Sequence, residues 1–401
     1  MAARAAFTFI ALASLATRAA KPNIVFLLTD DQDVDLGGLD SLAFTRTFLT
    51  EGGRTFANGY VTTPICCPSR TSTLAGRYGH NLDEQGLQNW CGDFTRHPLE
   101  NASWVAALHD AGYHTGFSGK YHNAPPENYV PRGWDDFFSL NNECTYFNNS
   151  FNDNGQRVQF GDAPSDYMTS LIGNRSLAFL RNASADAPVF LYIAPHSSHM
   201  PTTPAPWYVD APLPSERVPR TPAYNASGAD TGKHWSIAEL APLNDDFETA
   251  IDGIFAMRHR NLLSVDDIVR DVAAELEALG RLENTYWIYT SDHGYNLGTF
   301  RLSVEKFHFL QNDIHVPFIV RGPGVPANTT SNALVANIDI GATILDLAGV
   351  AAKTATDGRS FAAELRGAEL ARGAAPTRDR IVIEYGSWGT GYVPRGESPL
   401  S

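Results

Sequence analysis

The sequence contains few cysteines, with four in 401 residues. Four cysteines are too few to build a disulfide scaffold, so a hydrophobic core is expected to hold the fold together. At 43% hydrophobic residues, a chain of this length can bury one large core or two unequal ones, and a folded enzyme is the starting expectation. Cys66 and Cys67 are adjacent and cannot easily bridge each other without strain, whereas Cys91 and Cys144 could pair in an oxidising compartment.

Long apolar runs are missing as well, because no segment after residue 20 approaches the roughly 20 uninterrupted apolar residues that a membrane-spanning helix needs. Residues 1–20 carry Arg4 near the start, an apolar stretch over residues 5–15 and then small residues, which is the pattern of a secretory signal peptide. A signal anchor is the alternative, although the apolar stretch is short for crossing a bilayer. We therefore expect no transmembrane segment in the mature chain.

Positive charge is also scarce, since 30 Lys and Arg residues stand against 44 Asp and Glu residues and give a net charge of −14. Removing residues 1–20 would take away two arginines and no acid, which leaves 28 bases against 44 acids and a net charge of −16. Such a surface argues against nucleic acid as a partner. It also repels anionic substrates at long range, so a site for an anion needs a local cluster of cations.

Six Asn-x-Ser/Thr sequons are present, which on a chain with this leader indicates entry into the secretory pathway. A single sequon is common by chance, but six together with a signal peptide are more persuasive. The acceptor asparagines are Asn101, Asn148, Asn174, Asn182, Asn225 and Asn328.

Apolar runs of strand length alternate with stretches that show the apolar spacing of helices. The predicted strands cover residues 24–28, 189–193, 286–289 and 316–320. The predicted helices cover residues 167–180, 247–257 with 262–279, and 338–347. This alternation predicts an α/β fold in which helices cover a sheet. The proline-rich residues 201–222 are expected to form an ordered but irregular surface loop.

Charged side chains follow three of these strands at the point where each strand ends. Asp30 and Asp31 follow the first strand, and His196 follows the second. Asp292 and His293 follow the third. In open α/β sheets, ligands bind in the crevice outside the carboxyl ends of the strands. We therefore expect these side chains to converge on one site.

The most informative segment is residues 66–77, which read Cys-Cys-Pro-Ser-Arg-Thr-Ser-Thr-Leu-Ala-Gly-Arg. This segment resembles the sulfatase signature Cys-x-Pro-Ser-Arg followed by a helix, in which the first cysteine is oxidised to formylglycine (3-oxoalanine). The alternative, a buried thiol pair before a helix, explains neither Pro68 nor Arg70. By this resemblance Cys66 is the modified residue, and Cys67 at the variable position is expected to pack in the core.

A resemblance to the type I formylglycine-dependent sulfatases implies covalent catalysis on sulfate esters. In that family the aldehyde is hydrated to a gem-diol, one hydroxyl attacks sulfur, and the second later expels sulfate and regenerates the aldehyde. An ordinary serine hydroxyl could attack but could not eject sulfate so readily. The implied partners are a sulfated sugar or aryl sulfate as substrate and a formylglycine-generating enzyme during maturation.

The same resemblance implies a metal site. Asp30-Asp31 and Asp292-His293 match the two halves of the metal site of the family, and Cys66 would stand beside the ion. Carboxylate oxygens are hard ligands of the kind that calcium prefers, so one Ca²⁺ ion is implied. Many members of the family carry Asn where His293 stands.

Two other interpretations of the acidic segments remain open. The spacing Asp31-x-Asp33-x-Asp35 resembles the start of an EF-hand loop, but the twelfth position of such a loop falls on Leu42 in place of the required Glu. Alternatively, each acidic pair is a loop end that water solvates.

The local cations that a sulfate site needs are present in segments that resemble those of the family. By that resemblance, Lys120 and Lys306 would clamp the sulfate. His196 would protonate the leaving oxygen, and His122 would act as base in sulfate elimination. Arg70 would hold the hydrated formylglycine and balance its charge. A single histidine or lysine is more often a surface residue than a catalytic one. Its occurrence together with the cysteine signature favours a catalytic role.

Over most of its length the chain looks like the N-acetylglucosamine-6-sulfatase and arylsulfatase members of the family. The resembling segments are residues 22–33, 65–81, 232–235, 262–267, 290–301, 316–324 and 335–339. The implied substrate is 6-O-sulfated N-acetylglucosamine in glycosaminoglycans, another sulfated polysaccharide or an aryl sulfate. Residence outside the cell or in the lysosome is also implied.

The implied fold is an alkaline-phosphatase-like mixed sheet sandwiched by helices. We expect a signal peptide over residues 1–20, the catalytic domain over residues 21–375 and an abbreviated C-terminal segment over residues 376–401. Members of the family usually carry a further small antiparallel sheet after the strand that corresponds to residues 381–384. This C-terminal subdomain is therefore expected to be short or truncated.

Two other functions stay open. Phosphodiesterases and phosphonate monoester hydrolases of the same superfamily include members that use formylglycine, so the signature alone does not exclude them. A non-catalytic protein that binds sulfated glycans would be favoured if Cys66 stayed an unmodified thiol. The relative turnover of sulfate and phosphate esters, together with the chemical state of Cys66, distinguishes the three.

Overall fold

The computed structural model describes residues 21–82, 103–123, 127–141, 145–365 and 378–385. The predicted signal peptide over residues 1–20 lies outside the described residues. The same holds for Cys91, Cys144 and the sequon at Asn101. Among the described residues, no helix is both long and apolar enough to cross a membrane.

Ten strands form one sheet within the described residues. They are β1 Asn23–Thr29, β2 Arg54–Tyr60, β3 His114–Gly119, β4 Asp136–Leu140, β5 Ser150–Asp153, β6 Gln156–Gln159, β7 Val189–Ala194, β8 Thr285–Ser291, β9 Phe318–Arg321 and β10 Thr329–Ala336. Their order in space is β10-β2-β9-β8-β1-β7-β3-β4-β5-β6. The central strands β8, β1, β7, β3 and β4 are parallel neighbours, whereas β9 and β5 pair antiparallel with both of their neighbours. The sheet is therefore mixed, as expected.

The helices are α1 Ala43–Thr45, α2 Cys66–Ala75, α3 Trp104–Asp110, α4 Met168–Asn182, α5 Trp235–Ala238, α6 Asp245–Ala278, α7 Gln311–Ile314, α8 Asp339–Ala348 and α9 Ala362–Leu365. Helices α2, α3 and α8 contribute to one hydrophobic core, and α4 and α6 contribute to a second. Helix α2 ends at Gly76, whose φ of 64° is the left-handed conformation in which glycine commonly terminates a helix.

The central strand β1 shows why the sheet has a core on each face. All of its residues are buried, which is typical of a strand covered by helices on both sides. Successive side chains of a strand point to opposite faces. Ile24, Phe26 and Leu28 enter the core with α2, α3 and α8, whereas Val25 and Leu27 enter the core with α4 and α6. The sandwich architecture predicted for the fold is confirmed.

The four predicted strands are confirmed as β1, β7, β8 and β9, and β9 begins two residues later than predicted. The two helical segments predicted on either side of residues 258–261 form one continuous helix, α6. Residues 258–261 are polar but contain neither glycine nor proline, so nothing in them breaks the helix. The side chain of Asn244 caps the helix by accepting a hydrogen bond from the N–H of Phe247 at 3.0 Å.

Residues 381–384, expected to correspond to a strand, do not form one. Instead, the N–H of Glu384 donates to the carbonyl of Thr62 at 2.9 Å, one backbone hydrogen bond in place of a strand ladder. Arg378 anchors the start of this segment, because its Nε donates to Oδ2 of Asp339 at 3.0 Å in a buried ion pair. The segment therefore lies against the residues on either side of α2 and the start of α8.

Candidate active site

The carboxyl ends of β1, β3, β7 and β8 lie side by side, because these strands are parallel and paired in register. The side chains at these ends are Asp30 and Asp31 after β1, Lys120 after β3, His196 after β7, and Asp292 and His293 after β8. Backbone hydrogen bonds tie the loops together: the N–H of Asp30 donates to Ser197 at 2.9 Å, and that of Asp292 donates to Thr29 at 3.0 Å. The structure thus brings together the side chains that the sequence placed at strand ends.

Cys66 is the first residue of α2 and is buried over these strand ends. Its Sγ lies 3.6 Å from Oδ1 of Asp30, 3.2 Å from Nε2 of His293 and 3.4 Å from Nζ of Lys306. Burial and the charge of Asp30 act to raise the pKa of the Cys66 thiol, but Lys120, Lys306 and His293 together hold that pKa well below its usual value. The environment therefore stabilises negative charge at position 66.

Arg70 lies one turn further along α2 and is completely buried. Its Nε donates to Oδ2 of Asp292 at 2.8 Å, its Nη1 donates to the carbonyl of Lys120 at 2.6 Å, and its Nη2 lies 3.5 Å from Oδ2 of Asp30. Burial acts to lower the pKa of Arg70, but the two aspartates raise it above its ordinary value. Arg70 is therefore a fixed cation that positions the acids beside Cys66.

Each of the two predicted lysines contacts one aspartate of the first acidic pair. Nζ of Lys120 lies 2.6 Å from Oδ2 of Asp30, and Nζ of Lys306 lies 2.7 Å from Oδ1 of Asp31. Burial acts to raise the pKa of both carboxyl groups, but the neighbouring cations lower each pKa below its ordinary value. Both aspartates are therefore held as carboxylates.

Several ligand atoms at the strand ends fit a divalent cation. The candidate ligand atoms of Asp30, Cys66, Asp292 and His293 lie within 4.8 Å of one another. Within the described part of the chain, Oδ2 of Asp31 is buried without a hydrogen-bond partner. Burial and the charge of Asp30 raise the pKa of Asp292 to about 6, although Arg70 and His293 act to lower it. Clustered carboxylate oxygens, one of them buried without a hydrogen-bond partner, are hard ligands that suit a cation such as Ca²⁺.

Two histidines lie after β7, and only His196 is among the residues predicted from the sequence. His196 is buried with Nδ1 3.0 Å from Oδ2 of Asp30, and burial lowers its pKa to about 4. His199 is partly exposed, stacks on His196 with ring centroids 4.4 Å apart, and has a ligand atom within 4.8 Å of those of Asp30, Asp31 and Cys66. Burial acts to lower the pKa of His199, but the carboxylate of Asp31 and other negative groups raise it to about 9. The available sequence signal was the second histidine in His-Ser-Ser-His.

His122 occupies a different part of the site. It is buried, and its ring centroid lies 4.6 Å from that of Tyr121. Burial, with the charges of Arg70 and Lys120, lowers the pKa of His122 to about 3. His122 therefore neighbours the cations of the site, and it belongs to neither of the two clusters of ligand atoms found among the described residues.

Arg258, in the middle of α6, is a second residue that sequence reasoning did not single out. Its guanidinium donates to the carbonyl of Asp31 and, at 3.3 Å, to that of Ser198, and it lies 4.1 Å from the ring centroid of Tyr295. Arg258 is buried, so it fixes the loops after β1 and β7 from the side of the long helix. The polar residues 258–261 between two apolar stretches were the only sign of this role in the sequence.

Asn337 ties the start of α2 to the end of β10. Its Nδ2 donates to the carbonyl of Ser69 at 3.2 Å and to the hydroxyl of Thr73 at 3.1 Å. Its Oδ1 accepts a hydrogen bond from the N–H of Thr62 at 3.0 Å. This buried amide therefore holds the turn that presents Cys66.

We expect Asn337→Ala to lower the free energy of unfolding by about 2–3 kcal/mol, because it leaves several buried polar groups without a partner. Asn332 lies in β10, shortly before Asn337, but is exposed, so Asn332→Ala is the control and should change stability by less than about 0.5 kcal/mol. Urea unfolding followed by circular dichroism measures both. Equal losses of stability in the two variants would contradict this role of the Asn337 amide.

The mixed sheet, its two helical layers and the site at the parallel strand ends place the protein among the alkaline-phosphatase-like α/β proteins. A family profile described as sulfatase matches residues 22–350. The chain belongs to the sulfatase family, and the family assignment drawn from the Cys-x-Pro-Ser-Arg segment is confirmed.

Among curated relatives, human N-acetylglucosamine-6-sulfatase is 40% identical over 378 residues, which cover 91% of this chain and 67% of the relative. The Drosophila melanogaster extracellular sulfatase SULF-1 homolog is 38% identical over 353 residues, which cover 87% of this chain and 32% of the relative. The chain thus spans about two thirds of the length of the first relative and about one third of the second. A solved structure, in complex with its substrate D-glucosamine-2-N,6-O-disulfate, matches with a TM-score of 0.71 at 21% identity, covering 86% of this chain and 80% of that one. This match confirms the fold.

Proposed function

We propose that this protein hydrolyses sulfate esters, with Cys66 converted to formylglycine as the nucleophile. The observation that carries the proposal is the position of Cys66 at the start of α2, with Sγ 3.2–3.6 Å from Asp30, His293 and Lys306. The Cys-x-Pro-Ser-Arg segment and membership of the sulfatase family support it. A buried nucleophile among fixed cations suits attack on an anionic ester, because those cations stabilise the negative charge of the transition state.

We propose that Asp30, Asp31, Asp292 and His293 hold one Ca²⁺ ion next to position 66. When bound, the ion would act as a Lewis acid and lower the pKa of a hydroxyl group at position 66. The formylglycine hydrate would supply that hydroxyl group. Three buried cations keep the aspartates in place, because Arg70 contacts Asp292, Lys120 contacts Asp30 and Lys306 contacts Asp31.

The lysines and histidines would complete the chemistry around the sulfate group. Lys306, 3.4 Å from Sγ of Cys66, and Lys120 supply positive charge for the sulfate oxygens. His199 suits protonation of the leaving oxygen, because it is partly exposed and lies in one cluster with Cys66, whereas His196 is buried against Asp30. We therefore assign the acid role to His199 and an orienting role to His196. Base action of His122 in sulfate elimination stays a prediction.

The two histidines can be separated by the leaving-group dependence of the rate. We expect His199→Asn to slow hydrolysis of an alkyl sulfate by about 10²–10³-fold and that of a nitrophenyl sulfate much less, because an acidic phenol leaves without protonation. His196→Asn is the matched control and should slow both substrates by the same factor. Steady-state kcat values for the two esters decide the assignment, and a leaving-group dependence confined to His196→Asn would reverse it.

For the substrate, we propose 6-O-sulfated glucosamine residues of a glycosaminoglycan or a related sulfated polysaccharide. The support is the 40% identity to an N-acetylglucosamine-6-sulfatase, together with the glucosamine sulfate bound in the solved structure of similar fold. An extracellular or lysosomal location is proposed on the same grounds, since a relative at 38% identity is an extracellular sulfatase.

The test is to express the protein together with a formylglycine-generating enzyme and to weigh the tryptic peptide of residues 55–70. A mass lower than that of the cysteine form, by the difference between a thiol and an aldehyde, supports the activated nucleophile. Turnover is then compared for a sulfate monoester, a phosphate diester and a phosphonate monoester. Preference for the sulfate ester supports the proposal, preference for a phosphorus ester favours the rival hydrolase, and an intact thiol without turnover favours a glycan-binding protein.

A further inference from the structure

A groove of about 220 Å³ opens between α4 and α6, and none of its lining residues belongs to the candidate active site. The residues from α4 are Ser170, Gly173, Asn174 and Leu177, and those from α6 are Ser264, Asp267, Ile268, Arg270, Asp271 and Val272. On each helix the spacing of three and four residues places these side chains on one face. Trp207, from the irregular segment that follows β7, completes the lining.

The chemistry of the groove suits a sugar ring. Trp207 is 51% exposed, which is unusual for so large an apolar side chain. Beside it, Asp267 accepts hydrogen bonds from the hydroxyl of Tyr208 at 2.9 Å and from Arg270 at 2.7 Å. Arg270 also donates to Asp271 at 2.9 Å. A pyranose packs its C–H face on an indole, and fixed carboxylates accept hydrogen bonds from its hydroxyl and acetamide groups.

A sequon lies in the wall of this groove. Asn174 starts the sequence Asn-Arg-Ser, its side chain is exposed, and it makes no hydrogen bond to any residue that the structure describes. Its neighbour Gly173 has no side chain to obstruct the groove. By contrast, the amide of Asn225 is half-buried and donates to Leu243 and Glu248, both at 3.1 Å, so a sugar there would disrupt existing contacts.

We propose that Asn174 carries an N-linked glycan whose first N-acetylglucosamine lies in this groove against Trp207. The donor is an oligosaccharide linked to a lipid pyrophosphate, as the secretory pathway supplies. The C–N bond forms between Nδ2 of Asn174 and the anomeric carbon of the sugar, while the C–O bond to the pyrophosphate breaks. The pyrophosphate leaves with the electron pair, and the amide loses one proton to a base of the transferase. This inference is independent of the proposed sulfatase activity.

The test uses the full chain secreted from a eukaryotic host behind an efficient secretory leader. The native glycoprotein is treated with a glycoamidase, which converts each glycosylated Asn to Asp, and the rate at each site is followed by peptide mass. Asn182, exposed at the end of the same helix, is the internal control. We expect Asn174 to be occupied and to be released about fivefold to tenfold more slowly than Asn182, as an aromatic contact of ordinary strength would produce.

Trp207→Ala should abolish that difference in release rate, and Trp207→Phe should retain part of it. Asn174→Gln should lower the melting temperature by about 2 °C, whereas Asn182→Gln should not change it. An unmodified Asn174 beside an occupied Asn182 would overturn the proposal. Equal release rates at the two sites, unaffected by Trp207→Ala, would also overturn it. Sulfatase turnover is measured in parallel, and its loss in all forms would bear on the proposed function alone.

Discussion

Cys66→Ala is expected to lower kcat/KM for sulfate esters by about 10⁴-fold or more, because alanine at position 66 cannot be converted to the formylglycine proposed as the nucleophile. The fold should survive, since the change removes one sulfur atom from a buried position and leaves the backbone of α2 unaltered. Initial rates with an aryl sulfate measure the loss, and thermal unfolding followed by circular dichroism checks the fold. Residual turnover within tenfold of that of the wild-type protein would refute the assignment.

Cys67→Ala is the matched control, because Cys67 is equally buried and adjacent in sequence. It should retain activity and the conversion of Cys66. Cys66→Ser supplies a sharper result, since a serine hydroxyl can attack sulfur but cannot expel the sulfate group easily. We expect that variant to accumulate a covalent adduct heavier by the mass of SO₃, which intact-protein mass spectrometry would detect. A serine variant that turns over repeatedly would contradict the two-hydroxyl mechanism.

Asp292→Asn is expected to abolish stabilisation by Ca²⁺ and to lower activity by about 10²-fold or more, because it removes one of the proposed ligand charges. A ligand that binds only the folded state stabilises it by about 2.7 kcal/mol at 100 times its Kd. Melting temperatures with Ca²⁺ and with a chelator measure this effect. The wild-type protein should melt at a higher temperature with Ca²⁺ than with the chelator. The melting temperature of Asp292→Asn should be the same in both.

Asp313→Asn is the matched control for the metal site. Asp313 is also a buried aspartate, but it lies outside the two clusters of ligand atoms found in the described residues. Burial raises the pKa of Asp313 well above its ordinary value, and asparagine keeps the shape of the side chain. We expect this variant to keep both the Ca²⁺ response and the activity. A lost response in the control, or full activity after chelation, would contradict the assignment of the site.

Much of the active edge of the sheet was predictable from the sequence. The apolar run of β1 followed by Asp30 and Asp31, and that of β8 followed by Asp292 and His293, placed two acidic pairs at strand ends. Parallel strands bring their carboxyl ends to the same edge, so their convergence followed from general rules of α/β sheets. Cys66 was predicted to be a site residue from a local signature and not from the periodicity of apolar residues.

Other parts of the site had only a weak sequence signal. His199 lies three residues after His196, and nothing local shows which ring faces Cys66 and which is buried against Asp30. Arg258 lies in a polar interval of a helix, and only the packing of α6 on the loops reveals its contact with Asp31. The expected strand over residues 381–384 failed for a similar reason, because strand formation requires a partner that sequence alone does not supply.

The sequence by itself determined the central strands, the principal helices, the acidic strand ends and the cysteine that is proposed to be modified. These features depend on short-range periodicity and on contiguous motifs, which are readable within a few residues. Only the tertiary structure decided that Lys306 lies 3.4 Å from Cys66 across 240 positions, and which sequons are open to a glycan. Such distances depend on strand order and on the packing of helices over the sheet, which are set by the whole core.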